Sequence, residues 1–383
     1  MTQRTLTQPI PVPAFGGGSL ADVLPAVLAG LAVPGDAPAL DLPLASRVCV
    51  VLVDGLGWNA LRARPDEAPF LTSLLGNTGS RSITSVFPTT TPIALTSFGT
   101  GLSPGEHGIV GLLLRLPENG QVVDTLALPA QVDMHAMQPR PTAFERAVAA
   151  GVEVTRIGPK HFDGAGLSEA GLRGGSYAGA ESVGERVDAT YDAVRRGERA
   201  LAYVYLGTLD ATGHRRGCTS VAWSHELTHI DRVVEQIANA LPTGSALVVT
   251  SDHGMVDVPF ENRWDVANTP SLSDGVEVVA GDLRGVHVHA RPGASAEVLA
   301  AWRTTLGAEF WVLSRDEAIE AGLYGPVLEH AYHRIGDVVA LASDTSAVVD
   351  SRVMSPGLLA LVGLHGSVTG DELIVPLLTS VTA

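Results

Sequence analysis

Three runs of the chain are almost wholly apolar and rich in β-branched residues: RVCVVLVD (47–54), LAYVYLG (201–207) and SALVVTSD (245–252). They lack the alternation of a half-exposed strand, so the pattern predicts strands buried on both faces, as in a parallel sheet. VEVTRIG (152–158) and SITSVFP (82–88) read as further strands. Helical spacing fills the intervals, at 19–33, 58–64, 67–76, 142–151, 181–197 and 219–241. In the last of these Leu227, Ile230, Val234, Ile237 and Leu241 form one apolar stripe. Strands alternating with helices predict an α/β fold, a doubly wound and mostly parallel sheet flanked by helices.

The rhythm changes after residue 256. VEVVAG and VHVHA pair as a hairpin, SAEVLAAWRTTL (295–306) reads as a helix on it, and DVVALAS (337–343) reads as a return to the main sheet. The expected division is an arm and helix over 1–46, an α/β core over 47–256, a small α+β insertion over 257–336, and a return to the core over 337–383. Residues 112–140 carry no clear period.

Composition narrows the function. The 383 residues are 45% hydrophobic and carry a net charge of −16, enough apolar content for a large core. That charge argues against binding a nucleic-acid polymer or an anionic membrane surface. No apolar run reaches membrane-spanning length and the N-terminus lacks a signal-like pattern, so a cytoplasmic protein is expected. Two cysteines, Cys49 and Cys218, imply no disulfide framework. The sequence is silent on oligomeric state.

Ligands of open parallel sheets bind beyond the carboxyl ends of the strands. Asp54, Asp210 and Asp252 stand at such ends. An Asp there commonly caps the next helix, but three at one edge, two of them near His214 and His253, suit a metal site. Asp210, His214 and His365 form one three-ligand set. Asp54, Asp252 and His253, with the Thr91 oxygen, form another. Carboxylate and imidazole donors favour two Zn2+ ions, with Mn2+ or another divalent ion admitted. Thr89, Thr90 and Thr91 precede Pro92, which suits the start of a helix, so Thr91 is expected at a helix N-terminus, where an anion such as phosphate is favoured.

The combination VLVDG (51–55), FPTTTP with TGLSPGEHGIVG (87–111), DATGHRRG (210–217), TSDHGM (250–255) and GLHG (363–366) resembles the alkaline phosphatase superfamily, in particular its nucleotide pyrophosphatase/phosphodiesterase branch. The resemblance implies two zinc ions, a covalent phospho-threonine at Thr91 and a small phosphate-ester substrate. It implies hydrolysis of phosphodiesters or pyrophosphates of nucleotide type. A phosphomonoesterase or phosphonate hydrolase is the alternative, and a non-catalytic metal-binding protein a more distant one. Thr90 and Arg215 are the candidate substrate contacts. The sequence departs from the family at two places. Ala94 stands where the phosphodiesterases carry an Asn, and Pro92 follows Thr91 without the usual intervening aromatic.

Other histidines are expected outside the site. His225 and His229, in the zinc-protease-like HELTH, fall off the apolar stripe of their helix. His287 and His289 share one strand face and are expected to be solvated or to line the insertion. His107 is expected to order its loop, and Asp257 to serve a turn.

Overall fold

The computed structural model describes residues 9–43, 45–128 and 132–382. Its centre is a seven-stranded sheet in the order Arg81–Thr84, Ile374–Val381, Ala246–Thr250, Arg47–Val53, Ala200–Leu206, Glu153–Gly158 and Ser176–Gly179. The last five run parallel. Alternate residues of the central strand enter two separate cores. Val48, Val50 and Leu52 pack on the side of the helix Thr91–Thr100. Cys49, Val51 and Val53 pack on the side of Val221–Ala240, through Leu227, Ile230 and Val234. The unbroken apolar run therefore reflects a strand with no solvent face.

Register sets the site. Leu52 pairs with Tyr205 on one side and Thr250 on the other. The three strands thus end together, and Asp54, Gly207 and Asp252 follow at one level. The Asp54 N–H still donates to Leu206 O, at 2.9 Å, so the carboxylate leaves from the last rung of the ladder.

The C-terminal strand Ile374–Val381 enters this sheet antiparallel, between Ala246–Thr250 and Arg81–Thr84. Val375, Leu377 and Leu378 are buried there.

A second, antiparallel sheet has six strands: Phe310–Ser314, Val338–Ala342, Gly285–Ala290, Val276–Gly281, Leu113–Arg115 and Val122–Asp124. It does not stop at the expected boundary of 336. Val338–Ala342, expected in the main sheet, pairs between Gly285–Ala290 and Phe310–Ser314. Its wholly apolar run suits either sheet, because the second sheet is also covered on both faces. The aperiodic stretch 112–140 supplies the other edge, a short hairpin over 113–124.

His287 and His289 are buried, not solvated. Val286 and Val288 face the helix Ser295–Leu306, so the intervening histidines face the main lobe. There His287 Nε2 lies 2.8 Å from the Tyr324 hydroxyl. Burial pushes the two imidazoles down to about 3 and about 4, so both stay neutral. Among the described residues no helix is long and apolar enough to cross a membrane.

One ion pair ties the two sheets. Arg284, at the turn into Gly285–Ala290, meets Glu372 with two 2.8 Å bonds, and both side chains are fully buried. Glu372 also accepts from Ser367 N and from the Thr369 hydroxyl. The pair fixes geometry, since a buried pair gains little net energy but strands a charge when one partner is removed. Arg284→Met should therefore cost about 3–5 kcal/mol in urea unfolding. Adding Glu372→Gln, which removes the stranded charge, should recover part of that loss; an unchanged or larger deficit in the double variant would contradict this account.

Candidate active site

The three threonines have three different roles. The helix begins at Thr91, with Thr90 as its N-cap and Pro92 second, one residue earlier than the Thr-Pro pair suggested. Thr89 donates its hydroxyl to Ser367 O at 2.6 Å and accepts from Gly366 N at 3.0 Å. Thr90 is buried, with its side chain near enough to the Asp282 carboxyl to oppose the rise that burial causes there. Thr91, 8% exposed, keeps its hydroxyl for the site, where Oγ1 lies 3.2 Å from His253 Nε2.

The acids and histidines converge on this hydroxyl. Asp210 and His214 lie in the first and last turns of the helix Thr208–Arg216, four residues apart and on one face. That helix lies close against the end of the central strand. A Cβ on Gly55, whose φ is +78°, would sit 3.0 Å from Asp210 Cα, so only glycine fits between the two acids. His365 arrives on the Gly-rich loop before the last strand, and its ring stacks on that of His253 at 3.7 Å.

Among the described residues, Asp54, Asp252 and the three imidazoles each have one atom held by the chain and another left free. The Tyr205 hydroxyl donates to Asp54 Oδ2, and Asp54 Oδ1 has no hydrogen-bond partner. Asp252 Oδ1 accepts from the N–H groups of Gly55 and His253, at 3.2 and 3.0 Å, and its Oδ2 has no partner. Asp210 Oδ1 is likewise unpartnered. Each imidazole directs Nδ1 at a backbone carbonyl: His214 at Gly363 O (2.7 Å), His253 at Gly254 O (3.0 Å) and His365 at Thr89 O (2.8 Å). Nδ1 must therefore carry the proton, and each Nε2 presents a lone pair.

The consequence is a set of acceptors that face one another. His253 Nε2 lies 3.5 Å from Asp54 Oδ1 and 3.6 Å from Asp252 Oδ2. His214 Nε2 lies 3.4 Å from Asp210 Oδ2 and 3.2 Å from His365 Nε2. Buried lone pairs at these distances repel unless cations lie among them. The residues thus fit metal ions, and the mixed oxygen and nitrogen donors suit a borderline divalent ion. Two groups have ligand atoms within 4.8 Å of one another: Asp210, His214 and His365, and Asp54, Asp210 and His253. The first is the expected set. In the second Asp210 stands where Asp252 was expected, so one carboxylate faces both positions, with Asp252 beside His253.

Charge reports the same shortage of donors. Burial, then Asp54, pushes Asp210 up to about 8. Burial, then Asp210, pushes Asp252 up to about 7. Asp54 is also raised well above the usual carboxylate range, by burial and then Asp252. Burial holds His253 and His365 below their ordinary value, the latter with help from His253 and His214.

Beside the cluster lies a cavity of about 400 Å³. Asp54, Thr91 and Asp210 line its near end; Leu95, Phe162, Leu172, Tyr177, Tyr203 and Tyr205 line its walls, and Arg156 and Arg186 also reach it. None of Phe162, Tyr205, Arg156 or Arg186 was singled out from the sequence. Tyr205 precedes Asp210 by five residues in a strand run, where only its register with Leu52 reveals that it reaches Asp54. Arg215, a candidate substrate contact, is exposed, and neither it nor Arg216 is among the cavity residues. It lies near enough to Asp210 to oppose the rise of that acid. Ala94 is fully buried.

The remaining expectations sort simply. His225 and His229 are exposed on their helix. His107 is buried, with Nε2 2.8 Å from the Ser97 hydroxyl and Nδ1 accepting from Ile109 N, which orders the loop. Asp257 accepts from Cys218 N and Thr219 N in a turn.

Comparison with known proteins gives three results. A family model described as type I phosphodiesterase / nucleotide pyrophosphatase matches residues 48–367. Phosphopentomutase of Anaeromyxobacter dehalogenans (strain 2CP-C) is 29% identical over 181 residues, 46% of this chain and 44% of its own. That of Deinococcus radiodurans is 29% identical over 213 residues, 54% and 52%. The chain spans about half the length of these curated relatives. Among solved structures, murine ectonucleotide pyrophosphatase / phosphodiesterase 5, an inactive threonine-to-alanine variant in complex with AMP, has a TM-score of 0.69 at 19% identity, over 86% of this chain and 87% of that chain. Phosphonoacetate hydrolase from Sinorhizobium meliloti 1021, in complex with phosphonoformate, has a TM-score of 0.68 at 20% identity, over 89% and 92%.

The carboxyl shifts give a test on protein stripped of metal. In the unfolded chain Asp210 and Asp252 ionise near 3.8, in the folded chain near 8 and 7. Between those values the folded state binds more protons than the unfolded one, so stability falls as pH rises. Urea midpoints of EDTA-treated protein should drop as pH rises from 5 to 8. Saturating Zn2+ should remove the slope. A flat profile without metal would contradict the assignment of an uncompensated acid cluster.

Proposed function

The chain belongs to the type I phosphodiesterase / nucleotide pyrophosphatase family, and from that premise we propose that it hydrolyses phosphodiester or pyrophosphate bonds of small organic phosphates, with Thr91 as nucleophile. The observation that carries the choice of a diester is the cavity beside Thr91. Its walls are mainly apolar and aromatic, suited to an organic arm. A monoester would call instead for cationic groups around the reacting phosphate, and Arg215 and Arg216 stay outside that cavity.

Asp210, His214 and His365 would hold one divalent ion, and Asp54, Asp252 and His253 the other; we propose zinc for both. Bound there, two such ions would supply Lewis-acid stabilisation of the attacking and leaving oxygens of an in-line displacement. The chain itself supplies position. The N-terminus of the helix Thr91–Thr100 favours the anionic phosphate beside the Thr91 hydroxyl. Tyr205 holds Asp54 in one orientation, and the three carbonyls hold the imidazoles. In the first step the Thr91 oxygen bonds to phosphorus and loses its proton, and the ester bond to the leaving oxygen breaks. In the second, water adds to phosphorus, the bond to Thr91 breaks, and the hydroxyl is restored. Transfer to an alcohol in place of water is the second reading; the match to phosphopentomutases favours it, and product analysis with an added acceptor alcohol distinguishes the two.

The test compares bis-p-nitrophenyl phosphate, thymidine 5′-p-nitrophenyl phosphate and p-nitrophenyl phosphate with zinc present. The diesters should be preferred, and Thr91→Ala should lower kcat by about 10³-fold or more, as for loss of a nucleophile. Faster turnover of the monoester would move the protein to the phosphatase reading. Full activity in Thr91→Ala would remove the covalent route.

A further inference from the structure

Arg156 is a buried cation of the cavity, and the proposed reaction does not use it. It lies on Glu153–Gly158 and is 6% exposed. Its register places it between Tyr203 on one neighbouring strand and Tyr177 on the other. The guanidinium lies over the Tyr177 ring at 5.4 Å from the centroid. Among the described residues its Nε and Nη1 have no hydrogen-bond partner, and the Tyr203 hydroxyl beside it has none either. All three residues line the cavity, with Arg186 near them.

A buried guanidinium without a carboxylate is costly to keep, and unmet N–H donors add to the cost. The fold meets neither demand, although Asp163 and Glu181 lie near Tyr177. Position separates this charge from the reacting phosphate. Arg156 pairs with Tyr203, which pairs with Val50, four residues before Asp54. Strand spacing and rise then put the Cα atoms of Arg156 and Asp54 roughly 16 Å apart. The guanidinium leans over Tyr177, on the strand away from Asp54, so it would meet the arm of a molecule whose phosphate lies at Thr91.

We propose that the cavity selects phosphodiesters whose organic arm carries a second oxyanion, a carboxylate or a phosphoryl group, bound by Arg156 and the Tyr203 hydroxyl. This rests on the hydrolase reading above and deepens it. The aromatic walls favour a planar frame between the two anionic ends. Guanidinium binds both oxyanions through paired N–H donors, which a neutral arm cannot match in charge.

The test uses three diesters that release p-nitrophenol and differ only in the other arm: phenyl, 4-carboxyphenyl and 4-phosphonophenyl. In the wild type, kcat/KM for an anionic arm should exceed that for phenyl by about tenfold or more, the effect of a charge-assisted bond; which anionic arm leads identifies the oxyanion. In Arg156→Gln the ratio should collapse towards one, and in Arg156→Lys it should be partly restored. A wild-type ratio of one or less overturns the proposal without any variant, as does an unchanged ratio in a folded Arg156→Gln or Arg156→Lys. If no diester turns over, the hydrolase reading fails separately. Calorimetric titration with 4-hydroxybenzoate and 4-hydroxyphenylphosphonate then decides: binding about tenfold weaker in Arg156→Gln supports the site, and equal binding overturns it.

Discussion

Three carboxylates buried at one sheet edge, each with an oxygen that no donor in the chain satisfies, are the constraint on which this structure turns. Removing these acids from water is expensive, and around the oxygens left free the described residues add lone pairs, not protons. The three imidazoles could have relieved the repulsion by directing an Nε2–H at the acids. They do not, because Nδ1 of each is bonded to a carbonyl: Gly363, Gly254 or Thr89. The backbone thereby decides the tautomer, and the tautomer leaves relief to protons on the acids or to cations among them.

That arrangement needs contributions from distant parts of the chain, and the second sheet supplies the last of them. His365 is held by Thr89, whose hydroxyl and carbonyl together clasp residues 365–367. The same segment is held from its other side by Glu372 through Ser367 N, and Glu372 by Arg284 at the edge of the second sheet. The six-stranded sheet is therefore part of the site's frame, and a ligand loop that is short and Gly-rich can still be rigid.

Much of this was legible in the sequence, for physical reasons. Runs such as 47–54 and 201–207 are apolar throughout because both faces of the sheet are covered, and their ends mark the level of the site. Asp210 and His214 are legible because a helix puts positions four apart on one face. What could not be read depends on register between strands. Tyr205 and Arg156 look like ordinary strand residues until Leu52 and Tyr203 are placed beside them. Val338–Ala342 was assigned to the wrong sheet because two-sided burial leaves the same apolar signature in either. Of the two expectations for His287 and His289, solvation fails because polarity in a strand ordinarily marks the water side, whereas here the second sheet turns that face to the main lobe.

The departure at Ala94 bears on how a substrate would be positioned. The related phosphodiesterase pattern carries an amide there, one that would steady the phosphate from close by. In this chain the position is a fully buried methyl group, so no side-chain donor reaches the phosphate from that turn of the helix. The unspent donors lie instead at Arg156 and Tyr203. Positioning works as well through a long arm as through a short contact if the far end is held firmly and the frame between is stiff. If Arg156 binds a second oxyanion as proposed, a rigid arm with acceptors at its far end would align phosphorus with the Thr91 oxygen.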